Sequence, residues 1–347
     1  MSAQSETSTA TGYKLTIGGQ TFQQPAADGL QNLVVEDHVD MVTMLTVRLA
    51  ATEDPGQQTW NFKIGDPVEC KMGKGEDFLF KGEVVAVEPG YQVQGTSTLT
   101  IRALDKTHRL GRGRKTRHWE EMKDSDVASE VGAECGLSVT ADPTEEVHGY
   151  ILQRNESNIA FIKRLAARNN FLCRVVGDKL EFKKASFQGS AVKVPMGTRL
   201  RSMRMQYNSS DMVQKVIVRG WDIMSKKEIV GQATVDDCTP IGGGDLGAKQ
   251  AGAFGDSVAY ITDVPISTQG QADAVAKSEM ERIARQFCKG SCTVQGDDSI
   301  RAGAVVEFEG LPTGQNGKYY VISTRHVVNH RSGYTTEVNF CSNTNGT

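Results

Sequence analysis

Short runs of alternating or β-branched residues, each closed by Gly, Pro, Asp or Asn, constrain this fold more than any other feature. "YKLTIGG", "LQNLVVEDHVDMVTMLTVRLAA", "DPVECKM", "FLFKGEVVAVEP" and "STLTIRALD" fill about the first hundred residues. Period-two patterning with turn residues between the runs predicts antiparallel strands, and a succession of them predicts a barrel-like domain. Strands return from about Val192 in "LRSMRMQY", "VQKVIVRGW" and "KEIVGQATV", and close the chain in "AVVEFEG", "KYYVISTRHVV" and "YTTEVNF".

Between these β-rich regions the period changes. A basic connector, "KTHRLGRGRKTRHW", leads into "DSDVASEVGAECGL", where Val127, Ala128, Val131 and Cys135 recur at helical spacing. Asp124 or Ser125 suits its N-cap and Gly136 its close. "RNESNIAFIKRLAARNNF", Arg154 to Phe171, predicts a second helix. Ile159, Ile162, Leu165 and Ala166 form its apolar stripe, with Lys163, Arg164 and Arg168 off it, solvated or at a subunit contact. Asn169 and Asn170 suit a left-handed C-terminal cap, and "FLCRVVGDKLEFKKA" predicts a hairpin around Gly177-Asp178 onto which the stripe packs. The longest helical pattern is "STQGQADAVAKSEMERIARQFCKG", with Thr268 and Gln271 as a capping box and Ala272, Val275, Ala276, Met280, Ile283, Ala284 and Phe287 as its buried stripe.

Two stretches repeat. "IGDPVECKMG" and "RAGAVVEFEG" align Gly65 with Gly303, Val68 with Val306 and Glu69 with Glu307, an offset of 238. "VDMVTMLTVRLA" and "SDMVQKVIVRGW" align Asp40 with Asp211 and Arg48 with Arg219, an offset of 171. The difference of 67 residues predicts a second copy carrying an insertion that includes the Gly-rich loop and the long helix. A large β-domain duplicated once suggests pseudo-symmetry in an assembly. The expected fold is therefore mainly β with α+β insertions. Residues 1–12 form a disordered N-terminal tail, 13–105 a first tube-like antiparallel β-barrel and 106–188 a small α+β module. Residues 189–347 form a second barrel with an insertion around 227–295.

Composition excludes several classes. With a net charge of −3 over 347 residues, nothing global attracts nucleic acid or an anionic membrane. No apolar run is long enough to span a bilayer, and "MSAQSETSTATG" lacks the basic and apolar regions of a secretory signal. Seven cysteines, single except for Cys288 and Cys292 at the end of the long helix, suit free thiols in a reducing cytoplasm. "GGGDLG", Gly242 to Gly247, has neither the preceding buried strand nor the immediate helix of a dinucleotide site, and reads as a flexible loop. "GRGRKT" lacks phosphate-loop spacing. Arg109, Arg112, Arg114, Lys115 and Arg117 read as a solvated connector or protein contact. His326 and His330 fall in a strand pattern, about 13 Å apart, without a glutamate or third ligand for zinc. No catalytic, cofactor-binding or metal-ligating residue is assigned, and no cofactor.

"LGRGRKTRHWEEMKDSDVASEVGAECGL" and "VHGYILQRNESNIAFIKRLAARNNF" resemble the phage late control protein D family. That family includes contractile-tail baseplate hubs, the N-terminal hub regions of type VI secretion VgrG spike proteins, and hubs of extracellular contractile injection systems. "VQKVIVRGWDIMSKKEIVGQA" and "IRAGAVVEFEGLPTGQNGKYYVISTRHVVNHRSGYTTEV" are similar to two further blocks in the family's order, so the resemblance spans roughly Tyr13 to Cys341. It implies a non-enzymatic homotrimer whose paired barrels adapt a threefold spike to a sixfold inner tube. The implied partners are the inner tube protein, a spike-tip protein and other baseplate proteins. VgrG-type chains continue into an OB-like domain and a needle, whereas this sequence stops shortly after Cys341, so the spike tip is expected to be a separate chain. The implied location is a virion tail or injection-particle baseplate, after synthesis in the bacterial cytoplasm. Two alternatives are a tail-tip cell-wall hydrolase and a nucleic-acid-binding module using the basic connector.

Overall fold

The computed structural model describes residues 12–23, 29–50, 61–93, 95–187, 189–223 and 225–346. The expected tail at 1–12 therefore lies almost wholly outside the described residues. The first part comprises β1 (Tyr13–Ile17), β2 (Gln20–Gln23), β3 (Leu30–His38), β4 (Met44–Ala50), β5 (Pro67–Met72), β6 (Phe80–Gly90) and β7 (Thr98–Leu104). They lie in the order β3-β4-β7-β6-β5-β1-β2, every neighbour antiparallel. Alternation fixes which face is buried: Leu45, Val47 and Leu49 of β4, with Leu99, Ile101 and Ala103 of β7, enter one core.

The middle segment contains α1 (Thr107–Leu110), β8 (Lys115–Trp119), β9 (Met122–Lys123), α2 (Asp124–Glu134), β10 (Ser138–Ala141) and β11 (Val147–His148). After them come β12 (Ile151–Glu156), α3 (Asn158–Arg168), β13 (Phe171–Val176) and β14 (Lys179–Lys184). The expected hairpin is present, with Val176 opposite Lys179 and Gly177 at φ 62° in its turn. Ser157 caps α3 by accepting from the Ala160 N–H, and Asn170 takes the left-handed conformation at φ 54°. The buried stripe of α3 is Phe161, Ile162, Leu165 and Ala166, while Ile159 is only half-buried. Phe161 replaces Ile159 in the core because its ring stacks on Trp119, centroids 5.1 Å apart. The N-cap of α2 is Lys123, without a side-chain bond. Asp124 is instead consumed by a buried ion pair described below.

The last part comprises β15 (Val192–Pro195), β16 (Leu200–Tyr207), β17 (Lys215–Asp222), β18 (Lys227–Thr234), β19 (Val258–Ile261), α4 (Gln269–Ala284), β20 (Cys288–Gln295), β21 (Val305–Glu309), β22 (Gly317–Asn329) and β23 (Gly333–Ser342). Here the order is β16-β20-β23-β22, then β21 and β15. It parallels β3-β4-β7-β6-β5-β1, although β15 joins β21 in parallel where β1 joins β5 antiparallel. The arrays meet where β22 pairs antiparallel with β3, Arg325 opposite Glu36, making a single 13-stranded sheet. The Arg301 guanidinium locks the seam by donating to the Leu79 and Phe78 carbonyls at 2.9 and 2.8 Å. The Ala302 N–H donates to Asp37.

The two sequence repeats fare differently. β5 and β21 hold corresponding places in the strand order, Gly65 and Gly303 both have positive φ, and Val68 and Val306 are both buried. By contrast β17, matched to β4, belongs to a separate sheet, β18-β17-β19, whose buried face lies under α4. Half-buried alternation is common to both strands, and that is all they share. Cys288 and Cys292 also depart from expectation. They do not flank a helix end but point into the core from β20, which alternates buried and open positions between β16 and β23. Thr268 caps α4 as expected, but the Gln271 side chain reaches the Ser267 N–H rather than closing the box on Thr268.

Candidate assembly surfaces

The long sheet has one apolar face over the cores, and its opposite face carries rows of polar side chains that cross from one array to the other, interrupted by Val34 and Val327 and by the Tyr320–Cys341 patch. Strand registers align its side chains in rows. One row passes through Ser202, Thr293, Glu337, Arg325, Glu36 and Met44 on six adjacent strands. The Arg325 guanidinium bridges Glu36 and Glu337 at 3.3 and 3.2 Å, Asn339 Nδ2 donates to Ser323 Oγ at 2.9 Å, and Arg102 pairs with Glu88. Charges on this face are thus largely matched by neighbours across the strands. A cavity of about 690 Å³ is lined from β16, β20, β23, β22 and β3 together, so this surface is concave across the join. At the ends of the strand order, β16 and β2 each have one edge without a strand neighbour among the described residues.

A second surface is the outward side of β18-β17-β19. Trp221 and Tyr260 are 57% and 60% exposed there, with the Arg219 guanidinium 5.9 Å from the Tyr260 ring. Large exposed aromatics on a regular sheet face mark a contact surface.

The basic connector is spent on contacts within the chain. Arg109 pairs with Glu83, while Lys115 and Arg117 converge on Glu134. Arg114 leans on the Asn155 carbonyl, and Arg112 stands exposed. Arg168, expected off the packed face, enters the module. Its Nε donates to Asp124 at 2.6 Å, beside Asn169 Nδ2 at 2.6 Å and His148 Nε2 at 3.4 Å. Burial alone would raise the Asp124 pKa, but His148 and Arg168 overcome it and hold it at about 2. The other His148 nitrogen meets Gln271 of α4 at 3.0 Å, and Thr268 donates to Glu146, so this cluster ties the module to the last helix.

The Gly-rich loop is neither a phosphate cradle nor loose. Ile241 and Gly242 donate to Asn343 Oδ1 and Thr344 Oγ1, and the Gly247 N–H donates to the Asn343 carbonyl. Its glycines serve close approach: a Cβ on Gly247 would sit 2.1 Å from the buried Phe287 ring. Gly247→Ala should therefore destabilise the chain by about 1–3 kcal/mol in denaturant titrations. Equal midpoints for the variant and the parent would refute that packing. His326 is fully buried against Tyr334, and His330 binds the Leu30 carbonyl, so each histidine has a partner inside the fold. No helix among the described residues is long and apolar enough to cross a membrane.

A family model for the Alg8 N-terminal domain matches residues 8–330. The chain belongs to the Alg8 N-terminal domain family. No curated protein matches its sequence. Among solved structures, this Alg8 N-terminal domain superposes on the 43 kDa tail protein of prophage MuSo2 from Shewanella oneidensis with a TM-score of 0.74 at 16% identity, covering 95% of this chain and 98% of that one. The tail protein of Neisseria meningitidis MC58 gives 0.71 at 10% identity, with 96% of each chain covered. The Escherichia coli c3393 protein, a type VI secretion component, gives 0.65 at 9% identity over 95% of this chain and 76% of that one. At such identities the likeness is one of fold, and the fold is that of tail and spike proteins. The resemblance read from the sequence blocks holds at this level.

Proposed function

We propose that this Alg8 N-terminal domain chain is a non-enzymatic structural hub in the baseplate of a contractile phage tail or injection particle. It acts as a homotrimer between a threefold spike and a sixfold inner tube. The observation carrying this reading is the pair of strand arrays in the same order, joined through β3 and β22, with polar rows crossing the join on a concave surface. Two arrays in each of three subunits supply six similar elements to a hexameric tube, and the concave face lines the passage. The arrays would correspond to residues 13–105 and 189–347, with the small module at 106–188. The inserted portion of the second array is better bounded by β16 and β20 than by 227–295, since β20 is part of the main sheet. Its partners would be the tube protein, a separate spike-tip chain and other baseplate proteins. The Trp221 and Tyr260 face is suited to one of these contacts.

Native mass measurement across a concentration series tests the reading. A trimer that captures purified tube protein is expected. A chain that stays monomeric at high concentration and binds neither tube nor spike protein would overturn it.

A further inference from the structure

Where the module, α4 and the main sheet converge, a second cavity of about 390 Å³ opens. That is within the size range of small-ligand sites. Lys163 of α3, Arg282 of α4, Arg285 just beyond it and Lys289 of β20 all line it, against two carboxylates, Asp40 and Glu279. Arg282 is occupied by Glu279, its Nε 2.7 Å from the carboxylate. The other three cations have no ion-pair partner among the described residues. Lys163 donates to the Asp40 carbonyl, and Arg285 reaches Asn170 Oδ1 at 3.4 Å while lying 5.3 Å from the Phe187 ring.

Three cations without ion-pair partners around one partly enclosed space repel one another and leave it positive, with Asp40 the one lining carboxylate not taken by Arg282. An anion with several acceptor oxygens would pair with all three cations together. We propose that this cavity is an oxyanion site, taking a carboxylate or phosphate group through Lys163, Arg285 and Lys289. It goes beyond the hub reading and stands without it, since the cavity is formed within one chain.

Thermal unfolding of the purified full chain at low ionic strength tests the site. Sodium pyrophosphate and a tetraglutamate peptide are titrated separately, with sodium chloride at matched ionic strength as the control. At least one probe should raise the melting temperature with saturation. A response to pyrophosphate identifies a free phosphate as the source, and a response to the peptide alone identifies an acidic polypeptide. Lys289→Gln should weaken the effective probe about tenfold, the scale of one lost charge-assisted bond. Lys289 is exposed and makes no other side-chain contact that the fold needs, so it carries the test where Arg285→Gln perturbs packing on Phe187. The proposal is overturned if neither probe exceeds chloride, or if Lys289→Gln responds like the parent.

Discussion

Leu165→Ala should destabilise the small module by about 2–5 kcal/mol, seen as a lower denaturant midpoint for the transition that reports Trp119. Leu165 is fully buried on α3 in a core with Phe161, Ile162, Val127, Val131, Leu180 and Phe182. These come from two helices and the β13–β14 hairpin, so a cavity at Leu165 loosens every element of the module at once. Trp119 belongs to the same core and stacks on Phe161, so with Trp60 and Trp221 replaced by Phe its fluorescence is a local probe. Ile159→Ala is the control: that side chain is only half-buried at the edge of the cluster, and the loss should be clearly smaller. Equal midpoints for Leu165→Ala and the parent would remove the packing argument for α3.

This helix also shows how far residues alone led. Helical spacing placed Ile162, Leu165 and Ala166 inside, because a 3.6-residue period needs no tertiary information. It put Ile159 inside and missed Phe161, since that exchange depends on a ring from β8, a strand distant in sequence. Arg168 reads as solvated or at a subunit contact for the same reason: only the fold brings its guanidinium to Asp124. In the β regions, alternation shows where strands lie, while their order stays hidden in the sequence. The polar rows of the concave face are individually visible as Thr98, Thr100 and Arg102, or as Asn339 and Glu337. Their continuity depends on the β3–β22 pairing, which joins segments almost 300 residues apart. The Gly65 and Gly303 match corresponds to structure because positive φ at a turn and a buried Val are specific demands. The Asp40 and Asp211 match rested on alternation that any half-buried strand provides.

Acidification should weaken the seam between the two arrays, and His326→Gln should blunt that loss. His326 lies on β22 opposite Val35 of β3, fully buried, with Nδ1 2.9 Å from the Tyr334 hydroxyl. Burial, with the nearby Arg301 charge adding to it, pushes its pKa from 6.5 down to about 3. Because the folded value is depressed, the unfolded chain takes up a proton below pH 6.5 that the folded chain refuses until about pH 3. Stability is therefore fully present above 6.5 and falls through that window, by about 3 kcal/mol at pH 4.5. Asp124, held at about 2 against an ordinary 3.8, loses its contribution only below roughly pH 4, and the parent and the variant share every other titrating group, so the difference between their profiles reads the histidine. Glutamine keeps a hydrogen-bonding partner for Tyr334 but does not titrate. Urea unfolding at stepped pH should show His326→Gln losing about 3 kcal/mol less than the parent between pH 7 and 4.5, whatever its starting stability. Parallel profiles would mean that the imidazole is already protonated in the fold or that its site opens to water, and would remove His326 as the acid-sensitive point of the seam.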